Sequence, residues 1–456
     1  MGRLVVVSNR VAVPRELRAG GLAGAMQAAL SQRGGLWFGW SGRIAATPAD
    51  APRMETVGPI TFALTDLTRA DYEAYYLGYA NRALWPLFHY QPNLVEFSRS
   101  NLEGYLRVNR RFAGQLAGQL RDDDTVWIHD YHLIPLASEL RALGIGARIG
   151  FFLHIPLPAV ELMAMLPGHR RLIESLADYD LVGLQTPADR HALRDYFERE
   201  CGATLEDGGV RLRSGRSLRI EAFPISIDTA LIARLAANGS THAATRGLVA
   251  SLQGRALAIG VDRLDYSKGL PERFDAFGRF LERHVERRRQ VSMMQIAPLT
   301  REDVPEYREL RERLERMAGA TNGQYAEPDW VPIRYINRSF QQATLAGYYR
   351  VAQIGLVTPL RDGMNLVAKE FVAAQSADDP GVLVLSRFAG AANELTGALI
   401  VNPHDVDDTA DAIEQALAMP LEERRARWQA MFDHLAQHDI AAWRDAFLAA
   451  LDRSGR

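Results

Sequence analysis

Two segments of the chain gather the residue types that handle phosphate. The first, Val261-Asp262-Arg263-Leu264-Asp265-Tyr266-Ser267-Lys268-Gly269, follows an apolar run and presents Arg263 and Lys268 from one loop, with Gly269 able to turn the chain. Two cations on so short a loop can neutralise a pyrophosphate without a metal ion. The second, Thr358-Pro359-Leu360-Arg361-Asp362-Gly363-Met364-Asn365-Leu366-Val367-Ala368-Lys369-Glu370, reads as a strand end, a glycine turn and a helix start. The orphan N–H groups and dipole of a helix beginning near Leu366 and Val367 suit phosphate oxygens. Glu370 falls one turn beyond Leu366 on the same face, where a carboxylate can accept from both hydroxyls of a ribose.

Of 53 basic residues only two, Lys268 and Lys369, are lysine, and both lie in these segments. An ammonium is a compact point charge with three rotatable donors, whereas guanidinium is a planar fork that needs more room. A drift toward arginine would therefore leave lysine only where guanidinium does not serve. Lys369 points differently from Glu370 on the expected helix, so a structural role is expected for it.

The first half carries a second group. Asn9 and Arg10 follow an apolar run over residues 4–8, and Gly20-Gly21 lead into an apolar helix from Leu22, where backbone N–H groups can approach a phosphate. Asp130 follows the run 125–129, and His154 follows 149–153. A carboxylate and an imidazole at neighbouring strand ends can contact sugar hydroxyls or manage a proton. Paired acids for a metal are out of place: Asp178-Tyr179-Asp180 precedes its strand and Asp122-Asp123-Asp124 reads as a turn, so no metal site is expected.

These residues need strands to hold them. Short β-branched or aromatic runs at 4–8, 125–129, 149–153, 181–185, 257–261, 291–296, 354–357 and 382–385, separated by helical patterns, imply α/β structure with doubly wound parallel sheets. Ligands of such sheets bind beyond the carboxyl ends of the strands, where the residues above stand. A length of 456 residues suits two cores. The change to small polar residues at Asn238-Gly239-Ser240-Thr241 suggests a linker over 236–243. The expected domains are 1–235 and 236–438, followed by an amphipathic segment 439–456 with Ile440, Trp443, Phe447, Leu448 and Leu451 at helical spacing. The charged run 282–290 is expected to be a solvated helix face.

An apolar fraction of 47%, with 24% charged residues and a net charge of −2, fits a soluble globular protein and gives no broad attraction for nucleic acid or anionic membrane. A single cysteine, Cys201, excludes an internal disulfide, and no run suits a signal peptide or membrane span, so the cytoplasm is the expected compartment.

The segments Leu4-Val5-Val6-Val7-Ser8-Asn9-Arg10, Gly35-Leu36-Trp37-Phe38-Gly39-Trp40-Ser41-Gly42, Leu84-Trp85-Pro86 and Trp127-Ile128-His129-Asp130-Tyr131-His132-Leu133, with 150–156, 263–269 and 361–370, closely resemble the bacterial trehalose-6-phosphate synthases, retaining glycosyltransferases of GT-B fold. The similarity spans essentially the whole chain. It implies two facing Rossmann-like domains with the active site in the cleft, and a C-terminal helix crossing back to the N-terminal domain.

The resemblance also implies roles. Arg10, Tyr76, Trp85, Asp130 and Arg301 would bind the acceptor glucose 6-phosphate. Arg263, Lys268 and the segment Asp362, Gly363, Met364, Asn365, Leu366 and Val367 would bind the donor UDP-glucose, with Glu370 on ribose, Phe340 near the base, and Gly20 and Gly21 near the pyrophosphate. His154 and Asp362 would hold hydroxyls of the transferred glucose, so that His154, Asp130, Arg263, Lys268 and Asp362 form the catalytic set. No cofactor or metal is implied. The expected reaction gives α,α-trehalose 6-phosphate and UDP with retention, and the family implies a role in osmotic stress. A homo-oligomer, dimer or tetramer, stays open. So do a sister activity on the same fold (glucosylglycerol-phosphate synthase or a pseudo-glycosyltransferase), a non-catalytic sugar-phosphate sensor, and a pyridoxal-phosphate phosphorylase of related fold.

Overall fold

The structure, a computed structural model, describes residues 2–11, 26, 30, 34–47, 49–300 and 304–454. The chain divides into two compact units, Met1–Ile225 with Ala441–Arg456, and Ser226–Ile440.

The first unit is built on a ten-stranded sheet of β1 (Leu4–Arg10), β2 (Gly35–Ile44), β3 (Arg53–Val57), β4 (Ile60–Leu67), β5 (Thr125–His129), β6 (Arg148–Phe152), β7 (Leu181–Leu184), β8 (Thr204–Glu206), β9 (Gly209–Arg211) and β10 (Ser217–Ala222). Their spatial order is β3-β4-β2-β1-β5-β6-β7-β10-β9-β8. The centre is parallel, and only the hairpin partners β3 and β8–β9 run antiparallel. Val5, Val6 and Val7 are fully buried, as a strand covered on both faces requires. The order reverses at β1, which pairs β2 on one side and β5 on the other. Arg10 and Asp130 stand where these strands end, at the switch point that favours ligand binding.

The second unit holds β11 (Ala256–Val261), β12 (Val291–Ile296), β13 (Ile333–Ile336), β14 (Ile354–Val357), β15 (Val382–Ser386) and β16 (Leu399–Val401), all parallel, in the order β13-β12-β11-β14-β15-β16. This is the Rossmann order, with its switch point between β11 and β14. The two phosphate-type segments follow those two strands.

All eight strands expected from the sequence are present within two residues of their predicted ends, and β2, β3, β4, β8, β9, β10, β13 and β16 are additional to them. The expected linker is not present. Residues 229–239 form one helix (Thr229–Gly239) and 243–252 another (Ala243–Leu252), and the division between units falls at Ile225/Ser226. The polar stretch read as a linker is the end of a helix: Ser240 N–H donates to Ala236 O at 3.1 Å. The charged run 282–290 also differs from expectation. The helix Leu270–Arg283 stops at its start, a short 3-10 turn Val285–Arg287 follows, and Arg287 is drawn into a bidentate ion pair with Glu414.

The last helix, Ile440–Arg453, packs on the first unit. Trp443, Phe447, Leu448 and Leu451 are buried. Phe447 stacks on Trp127 with ring centroids 4.7 Å apart, and Trp443 meets Phe152 edge-on at 5.1 Å. Glycines in β6 and β7 make the room: a Cβ at Gly183 would lie 2.7 Å from the Phe447 ring, and one at Gly150 2.8 Å from Leu451. Each such side chain contributes about 1.5–3 kcal/mol of burial, enough to hold the helix against the sheet.

Candidate active site

In the second unit, Lys268, Asp362 and Asn365 form one connected cluster. After β11 the chain enters a 3-10 turn, Tyr266–Lys268, whose entry is fixed by Asp265: its carboxylate accepts from Ser267 N–H at 3.0 Å, from Ser267 Oγ at 2.9 Å and from Tyr307 OH at 3.1 Å. Gly269 leaves the turn at φ 63°, in the left-handed region, and a Cβ there would lie 2.4 Å from Thr358 O. The turn therefore sits directly against the end of β14. Lys268 makes an ion pair with Asp362, both side chains mostly buried. Asn365 Nδ2 donates to the same carboxylate at 3.0 Å.

The segment carrying Asp362 is pinned by backbone bonds: Asp362 N–H to Phe388 O at 3.1 Å, and Gly390 N–H to Asp362 O at 3.2 Å. Asn365 then takes φ 71° and begins the helix Leu366–Ala374, whose start has no side-chain cap. The N–H groups at Leu366 and Val367 thus carry the partial positive charge of a helix terminus without a carboxylate or hydroxyl on them. Arg263 is exposed on the same loop as Lys268, and Phe340 is partly exposed, packed edge-on against Tyr348 and under the Arg338 guanidinium.

Beneath this cluster lies a residue the sequence reading missed. Arg273 is buried in the helix after Gly269, where it pairs with Asp262 at 2.7 Å and donates to Gln295 Oε1 at 2.8 Å, to Thr358 Oγ1 at 3.0 Å and to Lys268 O at 3.4 Å. It ties β11, β12 and β14 to the phosphate-type loop. An arginine at helical spacing in a charged sequence reads as surface, so nothing in the sequence marked it. Lys369 is the structural lysine expected: buried, it pairs with Glu394 at 2.6 Å.

Glu370 is partly exposed as a residue, but its carboxyl is packed away from water, which pushes it up to about 7 from the usual 4.5. The folded state thus keeps this proton to higher pH than the unfolded chain, so stability falls as pH rises from about 4.5 through about 7. In the ligand-free protein, Glu370→Gln is expected to flatten this part of a melting-temperature profile between pH 4.5 and 7.5. An unchanged slope would remove Glu370 as its source.

In the first unit, Asp130 directly follows β5 at φ 77°, a conformation costing about 1–3 kcal/mol for a residue with a side chain. It is held there by its N–H to Phe152 O at 2.8 Å, while its carboxylate accepts the His154 N–H at 3.2 Å. The two strand ends therefore share one hydrogen-bond system. The proton-carrying role for His154 is not supported: burial lowers its imidazole to about 3, so it is neutral throughout the physiological range. A neutral imidazole can still hold a hydroxyl.

Tyr76 and Trp85 are set by an element no sequence pattern announced, a π-helix over Tyr72–Leu84, a rare geometry found often at functional sites. Tyr76 stacks on His132 at 5.8 Å and on Tyr72 at 5.4 Å, and Trp85 lies 4.1 Å from the His89 ring. Arg10 projects over Trp40, 6.0 Å from the ring centroid, and packs against Gly42, where a Cβ would approach its guanidinium to 2.9 Å. Arg10, Tyr76, Trp85, Asp130 and His154 thus belong to one unit, and Arg263, Lys268, Phe340, Asp362, Gly363, Met364, Asn365, Leu366, Val367 and Glu370 to the other. Gly20, Gly21 and Arg301 lie outside the described residues. Asp178 and Asp180, set aside as metal ligands, pair with Arg216 and Arg141. Among the described residues, no group of three or more His, Cys, Asp or Glu could hold a metal ion, and no helix is long and apolar enough to cross a membrane.

The family model for glycosyltransferase family 20 matches residues 6–453. The chain belongs to glycosyltransferase family 20. A trehalose-6-phosphate synthase of Sinorhizobium fredii is 49% identical to it over the full length of both chains. A solved α,α-trehalose-phosphate synthase (UDP-forming) of Burkholderia xenovorans, in complex with glucose-6-phosphate, is 50% identical, with a TM-score of 0.95 over 99% of this chain and 100% of that one. A structure from E. coli bound with UDP-2-fluoro glucose is 46% identical, with a TM-score of 0.95 over 99% of both chains. The family 20 assignment makes the chain a glycosyltransferase of GT-B fold class, as the resemblance implied.

Proposed function

We propose that this protein is an α,α-trehalose-phosphate synthase that transfers glucose from UDP-glucose to the anomeric hydroxyl of glucose 6-phosphate, with retention. The observation that carries this reading is the full-length similarity, near 50% identity, to synthases solved with glucose-6-phosphate and with a UDP-glucose analogue. The site residues support it. The Lys268–Asp362–Asn365 cluster and the uncapped helix start at Leu366 suit a diphosphate, and Glu370 suits a ribose diol. His154 and Asp362 suit the hydroxyls of the transferred glucose, and Arg10, Tyr76, Trp85 and Asp130, with Arg301, a sugar phosphate. Phe340, Gly20 and Gly21 complete the donor set.

Retention by double displacement needs a carboxylate poised on the far face of the sugar. The carboxylates around the donor cluster are committed otherwise: Asp262 to Arg273, Asp265 to Ser267 and Tyr307, Asp362 to Lys268 and Asn365. A one-face reaction suits this arrangement. The bond from the anomeric carbon to the UDP oxygen breaks, the acceptor oxygen bonds the same face, and the acceptor proton passes to the departing phosphate. Arg263 and Lys268 stabilise the charge that develops there, so the step needs no metal. A trapped covalent glucosyl-enzyme would exclude it.

The test is UDP release from UDP-glucose with and without glucose 6-phosphate, with the product identified by mass and NMR. The expected result is acceptor-dependent release and an α,α-1,1-linked disaccharide phosphate. Release only from ADP- or GDP-glucose would replace the donor, and no release from any of them would favour the sensor.

A further inference from the structure

His154 has a partner that decides what it can offer a ligand. His129, the last residue of β5, is fully buried, and its Nδ1 lies 3.0 Å from Nε2 of His154. Aromatic carbon surrounds the pair: Trp127 is 4.6 Å from the His129 ring, Phe152 is 4.7 Å from the His154 ring, and Trp443 of the final helix lies 6.3 Å from it. Burial holds both imidazoles neutral, so each carries one ring proton. Across a 3.0 Å contact between neutral imidazoles, one nitrogen donates and the other accepts.

The remaining nitrogen of His129, Nε2, is buried without a hydrogen-bond partner. Were His154 the donor, the single proton of His129 would sit on that Nε2 as an orphaned buried N–H, which folded proteins rarely tolerate. With His129 as the donor, Nε2 is only a bare ring nitrogen among aromatic rings.

We infer that His129 donates through Nδ1 to Nε2 of His154 and thereby fixes His154 as the Nδ1–H tautomer, so that His154 meets a sugar hydroxyl as a donor through Nδ1. The partner of one ring nitrogen sets the state of the other, and here it takes Nε2 out of use. His129 is thus a positioning residue for the transfer. The consequence for sugar binding rests on the proposed function, whereas the tautomer itself does not.

Long-range proton–nitrogen correlation NMR of the ligand-free protein at pH 7 reads the tautomer directly, with the His154 signals identified by their loss in His154→Gln. The expected pattern is a protonated Nδ1 and a bare Nε2 for His154, and the reverse would overturn the inference whatever the enzyme catalyses. His129→Phe removes the donor, and His129→Asn returns an N–H near the position of Nδ1. Acceptor-dependent kcat/KM is expected to fall about tenfold in the first, the rate equivalent of one buried hydrogen bond, and to recover to within about threefold in the second. Equal losses in two variants with unaltered melting temperatures would also overturn it, because packing alone would then explain the effect.

Discussion

Replacing Lys268 by alanine is expected to lower kcat by ~10² to 10³, with a smaller effect on binding of UDP alone, because the ammonium acts where charge develops on the departing phosphate. Its position is set by the fold. Asp265 shapes the 3-10 turn, Gly269 lets it turn against Thr358, and Asp362 and Asn365 hold the charged end from the neighbouring segment. Alanine also leaves Asp362 without its cation. Lys268→Arg is expected to recover little, since a planar guanidinium needs more room than this mostly buried site provides. Single-turnover kinetics with titration calorimetry of UDP separates the two effects. Turnover within a few-fold of the parent in either variant would remove Lys268 from the transition state.

The largest stability effect is expected at Arg273. Arg273→Met leaves the Asp262 carboxylate buried without its cation, and breaking such a pair costs about 3–5 kcal/mol. Against the ~5–15 kcal/mol that typically separates folded from unfolded states, this is a large fraction of the whole. Asp262→Asn in the same chain is expected to restore part of the loss by removing the orphaned charge. Urea unfolding followed by tryptophan fluorescence measures both, and a midpoint unmoved by Arg273→Met would mean that the buried pair contributes nothing net.

Eight of the sixteen strands among the described residues, the central ones of both sheets, could be read from sequence because a parallel strand covered on both faces must be a short β-branched or aromatic run, and Val5, Val6 and Val7 fulfil that rule. The turn at Gly269 was legible for a local reason, since few residues take a positive φ at low cost, whereas in the second segment the positive φ falls on Asn365 and not on Gly363, where a glycine turn was expected. The linker was misread because a run of small polar residues serves equally as the end of a helix, and only packing distinguishes the two. The π-helix at Tyr72–Leu84 left no trace, since its bonds differ from an α-helix by one residue of register and depend on what Tyr76 and Trp85 pack against.

By itself, then, the sequence determined the α/β class and eight of those sixteen strands, because these follow from periodicity and local spacing, and its motifs carried the resemblance to the family and hence pointed to the residues to examine. Tertiary structure alone decided the electrostatic state of those residues. That Lys268 is held by a carboxylate 94 positions away, that Arg273 is buried rather than solvated, that His154 is neutral and Glu370 protonated to about 7, all depend on partners and water exclusion supplied by distant segments. A charge is set by its surroundings in three dimensions, and spacing along a chain does not record them.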